Sequence, residues 1–457
     1  MEICNDLAVE RMDTFEVETI EVGEIAPDAK LSNGEKLYRG RLRKSIKNVV
    51  VKIIPNQEFE DFKKRVNREI YAAKANERNQ NVLSVEKIEV NTNDGQLYIA
   101  YEDFDHTLKN IVDDTLNKPI KQILLTATEG LMHFHDKKFV HRNIRPENIV
   151  IKEENSNYNG KIADLSMSKL LTDGKNVTIS RDFSENGFSA PELINYFNID
   201  QGNKKKSTNN SQRKKVTEKV DIFSMGVVYF YAFTEYHPFA RDGRSLQQNI
   251  CDKKFVPNFN TLKKSKSLSA VEVPLITNLI QKMIQYDPKK RPTIKQVLNH
   301  PFFWTDQRKV AFLTVTSQYI QGCDMEDKEL MRAQCGPSYE NWQENLDPKV
   351  QETLKEKRKY KNDVTELLRS LRNLPAHVNE KRNEDLRNFF NQYQNGVVGY
   401  FSEKYPNYFI DFYNYFIEYS SYDTLREFYC DCYVVGRYGT HKCNQIEAFC
   451  AFDWETN

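Results

Sequence analysis

Two groups of residues in this 457-residue chain are of types and spacing that can do chemistry. The first lies in the N-terminal half. Lys52 falls in Val49-Val50-Val51-Lys52-Ile53-Ile54, Glu69 in Val66-Asn67-Arg68-Glu69-Ile70, and Asp164 in Ile162-Ala163-Asp164-Leu165-Ser166. Between them runs His141-Arg142-Asn143-Ile144-Arg145-Pro146-Glu147-Asn148. Asn143 is a neutral amide, which can orient a hydroxyl but has too little basicity near neutral pH to take its proton. The second group is Glu366, Arg369, Arg372 and Asn373, with His377 following. A guanidinium fork grips developing negative charge, and an imidazole near its ordinary pKa donates a proton at neutral pH. The bland reading is an exposed helix with i,i+3 ion pairs and a surface histidine.

These residues need elements to position them. The alternation around Val49 to Ile54 predicts a strand carrying Lys52, and the stretch around Glu69 a helix. Glu366, Arg369 and Arg372 at i, i+3 and i+6 share a broad helix face, and Pro375 is expected to end that helix just before His377. Toward the C-terminus, charged helices alternate with aromatic ones such as Tyr408-Phe409-Ile410-Asp411-Phe412-Tyr413-Asn414-Tyr415-Phe416, without strand-and-turn rhythm. That predicts an all-helical bundle.

Composition sets the outer limits. With 39% hydrophobic residues the chain can bury real cores, and 66 Lys+Arg against 65 Asp+Glu make any nucleic-acid site a local patch rather than a global field. Eight scattered cysteines are not a disulfide scaffold and fit a reducing compartment. The longest apolar stretch, around Gly226 to Phe233, is far short of a membrane span, and no targeting signal is readable. A Lys/Ser/Asn-rich stretch between Gln201 and Val216 reads as a solvated insertion, with nucleic-acid contact as its alternative.

The first group resembles a protein kinase. His141 to Asn148 stands where kinases carry H-R-D-x-x-x-x-N, with Asn143 at the base position, and Asp164 stands at D-F-G, where Phe and Gly are lost. The resemblance implies that Lys52 grips nucleotide phosphates and pairs with Glu69, and that Asn148 and Asp164 hold Mg²⁺ with the nucleotide. It puts the hinge at Tyr101-Glu102-Asp103-Phe104, with backbone groups of Glu102 and Phe104 facing an adenine. Ser189-Ala190-Pro191-Glu192 matches A-P-E, Asp221-Ile222-Phe223-Ser224-Met225-Gly226 opens the large C-lobe helix, and Arg291 is the arginine that buries against Glu192. In the glycine loop only Gly34 remains, with Ala29 and Leu31 at the other glycine positions, so phosphate is covered less closely.

Nearly the whole chain, from about residue 16 to about 420, resembles the fused kinase and kinase-extension nuclease of ribonuclease L and of the inositol-requiring unfolded-protein-response sensor, somewhat closer to ribonuclease L. The segments that carry this are Asn299-His300-Pro301-Phe302-Phe303-Trp304, Asn341-Trp342-Gln343-Glu344-Asn345, Leu367 to His377, and Tyr400-Phe401-Ser402-Glu403-Lys404-Tyr405-Pro406. The resemblance implies an α+β architecture. A bilobal kinase-like domain over 16–304 is followed by an all-helical nuclease domain over 305–420 and a Cys/aromatic-rich tail over 421–457. No Gly/Pro/Ser linker follows Trp304, which predicts a rigid fusion.

That family cuts single-stranded RNA loops without metal, driving the ribose 2′-hydroxyl onto the adjacent phosphate. The resemblance makes His377 the acid and Arg372 with Asn373 the phosphate clamp. Tyr360 falls within a residue of the catalytic tyrosine, and Glu366 stands where the family has an orienting Asp. Lys355, Lys357, Arg358, Lys359 and Lys361 lie where an RNA backbone would need cations. In the tail, Cys430, Cys432, His441, Cys443 and Cys450 could hold zinc or be buried free thiols.

The implied function is a metal-independent endoribonuclease leaving 2′,3′-cyclic phosphate ends. Its kinase-like domain would bind ATP or ADP, transfer phosphate poorly or not at all, and promote homodimers. The implied location is the cytoplasm, or the cytosolic face if the chain is a piece of a longer membrane protein. The alternatives are a non-catalytic RNA- or protein-binding module and a weakly active Ser/Thr kinase.

Overall fold

The computed structural model describes residues 20–30, 36–54, 56–76, 79–90, 96–113, 119–171, 177–178, 187–195, 215–240, 243–357, 360–380, 383–393 and 396–429. Leu31, Gly34, the Lys-rich stretch over 201–214, Arg358, Lys359 and the cysteines from Cys430 on lie outside the described residues. The chain divides into two compact units. One comprises the described part of Met1–Ser267 with Ile280–Ile294, the other Leu268–Leu279 with the described residues from Lys295 on.

The first unit begins with an antiparallel sheet of order β1-β2-β3-β5-β4, from β1 Ile20–Lys30, β2 Lys36–Leu42, β3 Lys47–Ile54, β4 Val85–Val90 and β5 Leu97–Glu102. β1 and β2 register Lys30 against Lys36, so Ala29 falls on β1 itself. The period-2 rule divides β3: Val49 and Val51 pack on one face with Ile20, Leu42 and Ala100, while Val50 and Ile54 pack on the other with Leu37, Tyr101 and Phe104. Lys52 therefore points to the second face. There, helix α1, Asn56–Asn76, presents Val66 and Ile70 at i,i+4 with Glu69 between them.

Below the sheet, the helix Lys219–Thr234 is buried on nearly all sides. Gly226 is required on it, since a Cβ there would lie 2.7 Å from Met283 Cβ and 2.8 Å from Ile284 Cγ2. Arg291 makes a bidentate pair with Glu192 at 2.7 and 2.8 Å, as the A-P-E resemblance implies.

Among the described residues, the second unit is built from helices. Its core is aromatic: Trp304, Phe312, Phe409, Tyr413 and Phe428 pack with ring centroids 5.3 to 6.2 Å apart. Asn299 ties the entry to this core, donating to Phe428 O at 3.0 Å and accepting from Arg308, which also lies over the Trp304 ring.

The helix Val364–Asn379 buries Val364, Leu367, Leu368, Leu371, Leu374 and Val378, a stripe at helical spacing. Its N-terminus is capped by Asp363, which accepts from Thr365 N and Glu366 N. The expectation that Pro375 ends this helix is corrected: Pro375 lies inside it, and His377 is helical. Proline there forfeits one bond, to the Leu371 carbonyl. Leu374 and Val378, both buried, hold the last turn in place on either side of it. No described helix is long and apolar enough to cross a membrane.

Candidate functional site

In the first unit, Lys52 and Glu69 form a buried pair with Nζ 3.8 Å from Oε2, and the Tyr101 hydroxyl donates to the other Glu69 oxygen at 2.5 Å. The loop after His141 is held by one carboxylate. Asp221 accepts from His141 N at 2.8 Å, Arg142 N at 2.7 Å and His135 Nε2 at 2.9 Å. Burial pushes the Asp221 carboxyl up, but the bonds from His135 and the charge and backbone of His141 more than reverse this and leave it below the ordinary carboxylate value. Burial also pushes the His141 imidazole below its ordinary value, against the pull of Asp221 and Asp164. The sequence reading took Asp221 only for the start of a helix. Its burial in a first turn is the signal that marks it as an anchor.

Asn143 Nδ2 donates to Asp164 Oδ2 at 2.8 Å, Asn148 Nδ2 reaches the same oxygen at 3.3 Å, and Ser166 Oγ donates to Oδ1 at 2.7 Å. Asn148 also donates to the Asn143 carbonyl at 2.9 Å, while its own Oδ1 is a buried oxygen with no hydrogen-bond partner. An orphaned amide oxygen beside a carboxylate fits a hard cation such as Mg²⁺. At the hinge, the Phe104 carbonyl is taken by Arg39 at 2.7 Å, and the Glu102 side chain by Ser84 N and Lys161 at 2.8 and 2.6 Å.

In the second unit, the helix Val364–Asn379 puts Glu366, Arg369, Asn373 and His377 on one stripe, at i, i+3, i+7 and i+11. Asn373 sits at the centre of a short chain of bonds. Its Oδ1 accepts from Arg372 Nε at 2.9 Å and its Nδ2 donates to the Tyr360 hydroxyl oxygen at 3.1 Å. Tyr360 is buried and its loop is strapped to the Asn341–Asn345 segment: Gln343 Nε2 donates to Tyr360 O at 3.1 Å, and Trp342 Nε1 to Lys361 O at 3.1 Å. The Trp342 ring meets Tyr360 edge-on. Glu366 pairs with Arg369 at 3.7 Å, and Arg369 donates to Gln321.

One turn beyond Asn373, His377 Nδ1 lies 2.8 Å from Glu380 Oε1, and its Nε2 carries no hydrogen bond among the described residues. Tyr360, Arg372 and Asn373 are thus brought together, with His377 on the same helix. Sequence reasoning missed Gln343 and Glu380. Gln343 lies in Asn341-Trp342-Gln343-Glu344-Asn345, and Glu380 stands three residues past the histidine, at helical spacing. Lys355 and Lys361 are exposed. A guanidinium, an amide, a phenol and an imidazole in this arrangement can hold a phosphate and deliver a proton to it.

The five-stranded sheet, the Lys–Glu pair and the carboxylate-anchored loop define a protein-kinase fold joined to a helical unit. Residues 32–303 match the protein kinase domain, and residues 310–429 match the family described as Ribonuclease 2-5A. The chain belongs to the protein kinase family, in the branch that joins the kinase domain to a kinase-extension nuclease domain. It is 30% identical over 304 residues to the probable serine/threonine-protein kinase ireA of Dictyostelium discoideum, covering 65% of this chain and 27% of that protein. It is 29% identical over 320 residues to the serine/threonine-protein kinase/endoribonuclease ire-1 of Caenorhabditis elegans, covering 66% and 30%. Against the serine/threonine-protein kinase/endoribonuclease IRE1 of Hypocrea jecorina it is 27% identical over 474 residues, covering 94% and 36%. The chain therefore spans between 27% and 36% of the length of these relatives.

Proposed function

We propose that this chain is an endoribonuclease that cuts single-stranded or looped RNA by internal transesterification, leaving 2′,3′-cyclic phosphate and 5′-hydroxyl ends. The observation that carries the reading is the chain Arg372–Asn373–Tyr360, with His377 one turn away on the same helix. Arg372 and Asn373 hold the phosphate, and Tyr360, accepting from Asn373, keeps its own O–H to donate to a phosphate oxygen. As the ribose 2′-oxygen closes on phosphorus and loses its proton to water, His377 gives a proton from Nε2 to the departing 5′-oxygen. The nucleophile belongs to the RNA, so no step requires a metal-activated water. Glu366 orients the helix face through Arg369, and exposed Lys355 and Lys361 offer charge to the RNA backbone.

The kinase-like unit serves as a nucleotide-binding scaffold that promotes homodimers. Lys52, Glu69, Asn148 and Asp164 are the groups that would meet ATP or ADP and its Mg²⁺, which supplies charge neutralisation on the phosphates. Glu102 and Phe104 would meet the adenine through backbone groups. Asn143 donates to Asp164 and takes no proton, which favours binding over phosphotransfer. The proposed place of work is the cytosol or a cytosolic membrane face.

The test is incubation of the purified chain with a structured RNA, with and without ATP and with EDTA. Cleavage should persist in EDTA and fall by roughly 10² in Arg372→Lys, since an ammonium does not reproduce the guanidinium fork. Activity per protomer should drop on dilution below the dimer's dissociation constant; an unchanged value there would remove dimerisation from the proposal.

A further inference from the structure

His377 ends in a side-chain contact that the transesterification scheme does not use: Nδ1 faces Glu380 Oε1 at 2.8 Å, with the two side chains 26% and 33% exposed. We propose that Glu380 is a positioning residue of the nuclease site, accepting from Nδ1–H and so holding the imidazole in the orientation and tautomer that turn Nε2 toward the RNA. This rests on the reading of His377 as the proton donor.

The backbone argues that this is not simply how the helix end is closed. Glu380 N donates to His377 O at 3.2 Å and Asn383 Nδ2 to the same oxygen at 2.7 Å. The Glu380 carbonyl accepts from Asn383 N at 2.9 Å and from Arg387 Nη2 at 3.1 Å. All four bonds use the Glu380 main chain or bypass the residue, and none of them uses its carboxylate. An ion pair this exposed contributes little to stability. Its effect falls on the ring. An ionised carboxylate is acceptor-only, so the nitrogen facing it must carry the hydrogen. Which imidazole nitrogen holds the proton is set by the bond the other makes.

In the reaction, the imidazolium passes its Nε2 proton to the 5′-oxygen as the P–O5′ bond breaks, and the ring relaxes to the neutral Nδ1–H form that Glu380 already accepts from. Without the carboxylate the ring can turn about its side-chain bonds, and its neutral form divides between two tautomers.

The experiment compares single-turnover cleavage of an RNA stem-loop with cleavage of the same RNA carrying a bridging 5′-sulfur at the linkage the unmodified protein cuts. A thiolate leaves without a proton. Glu380→Ala should slow the oxygen linkage by about tenfold or more with RNA half-saturation within about two-fold, and the sulfur linkage should restore the rate, as it should for His377→Ala. Glu380→Gln, which keeps an acceptor oxygen, should retain more of the rate than Glu380→Ala. Long-range ¹H–¹⁵N spectra, with His377 assigned by its loss in His377→Ala, should show the Nδ1–H tautomer in the unmodified protein and a mixture in Glu380→Ala. If sulfur fails to rescue His377→Ala, the acid reading itself is wrong. If sulfur rescues His377→Ala while Glu380→Ala is equally slow on both linkages, cuts at the full rate, or leaves the tautomer unchanged, the positioning role of Glu380 is overturned.

Discussion

Asn143 Nδ2 lies 2.8 Å from Asp164 Oδ2, so an amide donor fills the place where a second carboxylate would press against the first. Asn143→Asp replaces that bond with like charges. It should destabilise the first unit by about 1–3 kcal/mol in EDTA, and millimolar Mg²⁺ should return part of the loss by screening the pair. Denaturant melts with and without the metal measure this; equal stability of the two proteins in EDTA would show that the bond matters little.

Asp221 joins His135 to the backbone of His141 and Arg142, and Asp221→Asn breaks a fully buried charged contact. The expected loss is about 3–5 kcal/mol. The pH dependence follows from the directions of the shifts. Asp221 is held below its ordinary value, so its contribution is present above the unfolded-state carboxylate pKa and is lost as pH falls through the lower folded-state value. His141 is held neutral below its ordinary 6.5, so its contribution also fades as pH falls below that. Both weaken the fold in acid. Urea midpoints should fall from pH 7 to pH 4 in both proteins as His141 is forced to charge, and below pH 4 should fall further in the unmodified protein than in Asp221→Asn.

Tyr360→Phe removes the acceptor of Asn373 Nδ2 while keeping the ring that packs on Trp342. Stability should change by less than about 1 kcal/mol, because one partly buried hydrogen bond is lost. The cleavage rate should fall by roughly tenfold or more, since both the Arg372–Asn373 arrangement and the hydroxyl are affected. A single-turnover assay beside a thermal melt separates the two effects.

Pro375 sits in mid-helix, where it gives up the bond to the Leu371 carbonyl. Pro375→Ala should stabilise the second unit by about 1–3 kcal/mol, the restored bond and relieved clash outweighing the greater freedom of the unfolded chain. A lower unfolding midpoint for Pro375→Ala would show that the packing here is built around the proline ring.

The motifs with fixed chemical partners were legible in sequence. Lys52 meets Glu69 and Glu192 meets Arg291, as the kinase resemblance implies. Pro375 misled, because local propensity was weighed without the buried leucine stripe that holds the helix through it. Glu380 and Gln343 went unread for a different reason. A glutamate three residues past a histidine, or a glutamine beside a tryptophan, is ordinary in sequence, and only the close of the helix and the strap on Tyr360 give them partners. Asp221 needed the fold entirely, since the groups it anchors are about 80 residues away in sequence.

The central claim, that the second unit carries an RNA-cutting site built on His377, is tested most directly by the ends of the products. With a structured RNA in EDTA, the chain should yield 2′,3′-cyclic phosphate and 5′-hydroxyl ends. His377→Ala should reduce the rate by roughly 10² or more while its melting curve and nucleotide binding stay as they were, because an acid used only in the transition state adds little to ground-state binding. Cleavage unchanged in His377→Ala, or 3′-hydroxyl ends that appear only with Mg²⁺, would contradict the account.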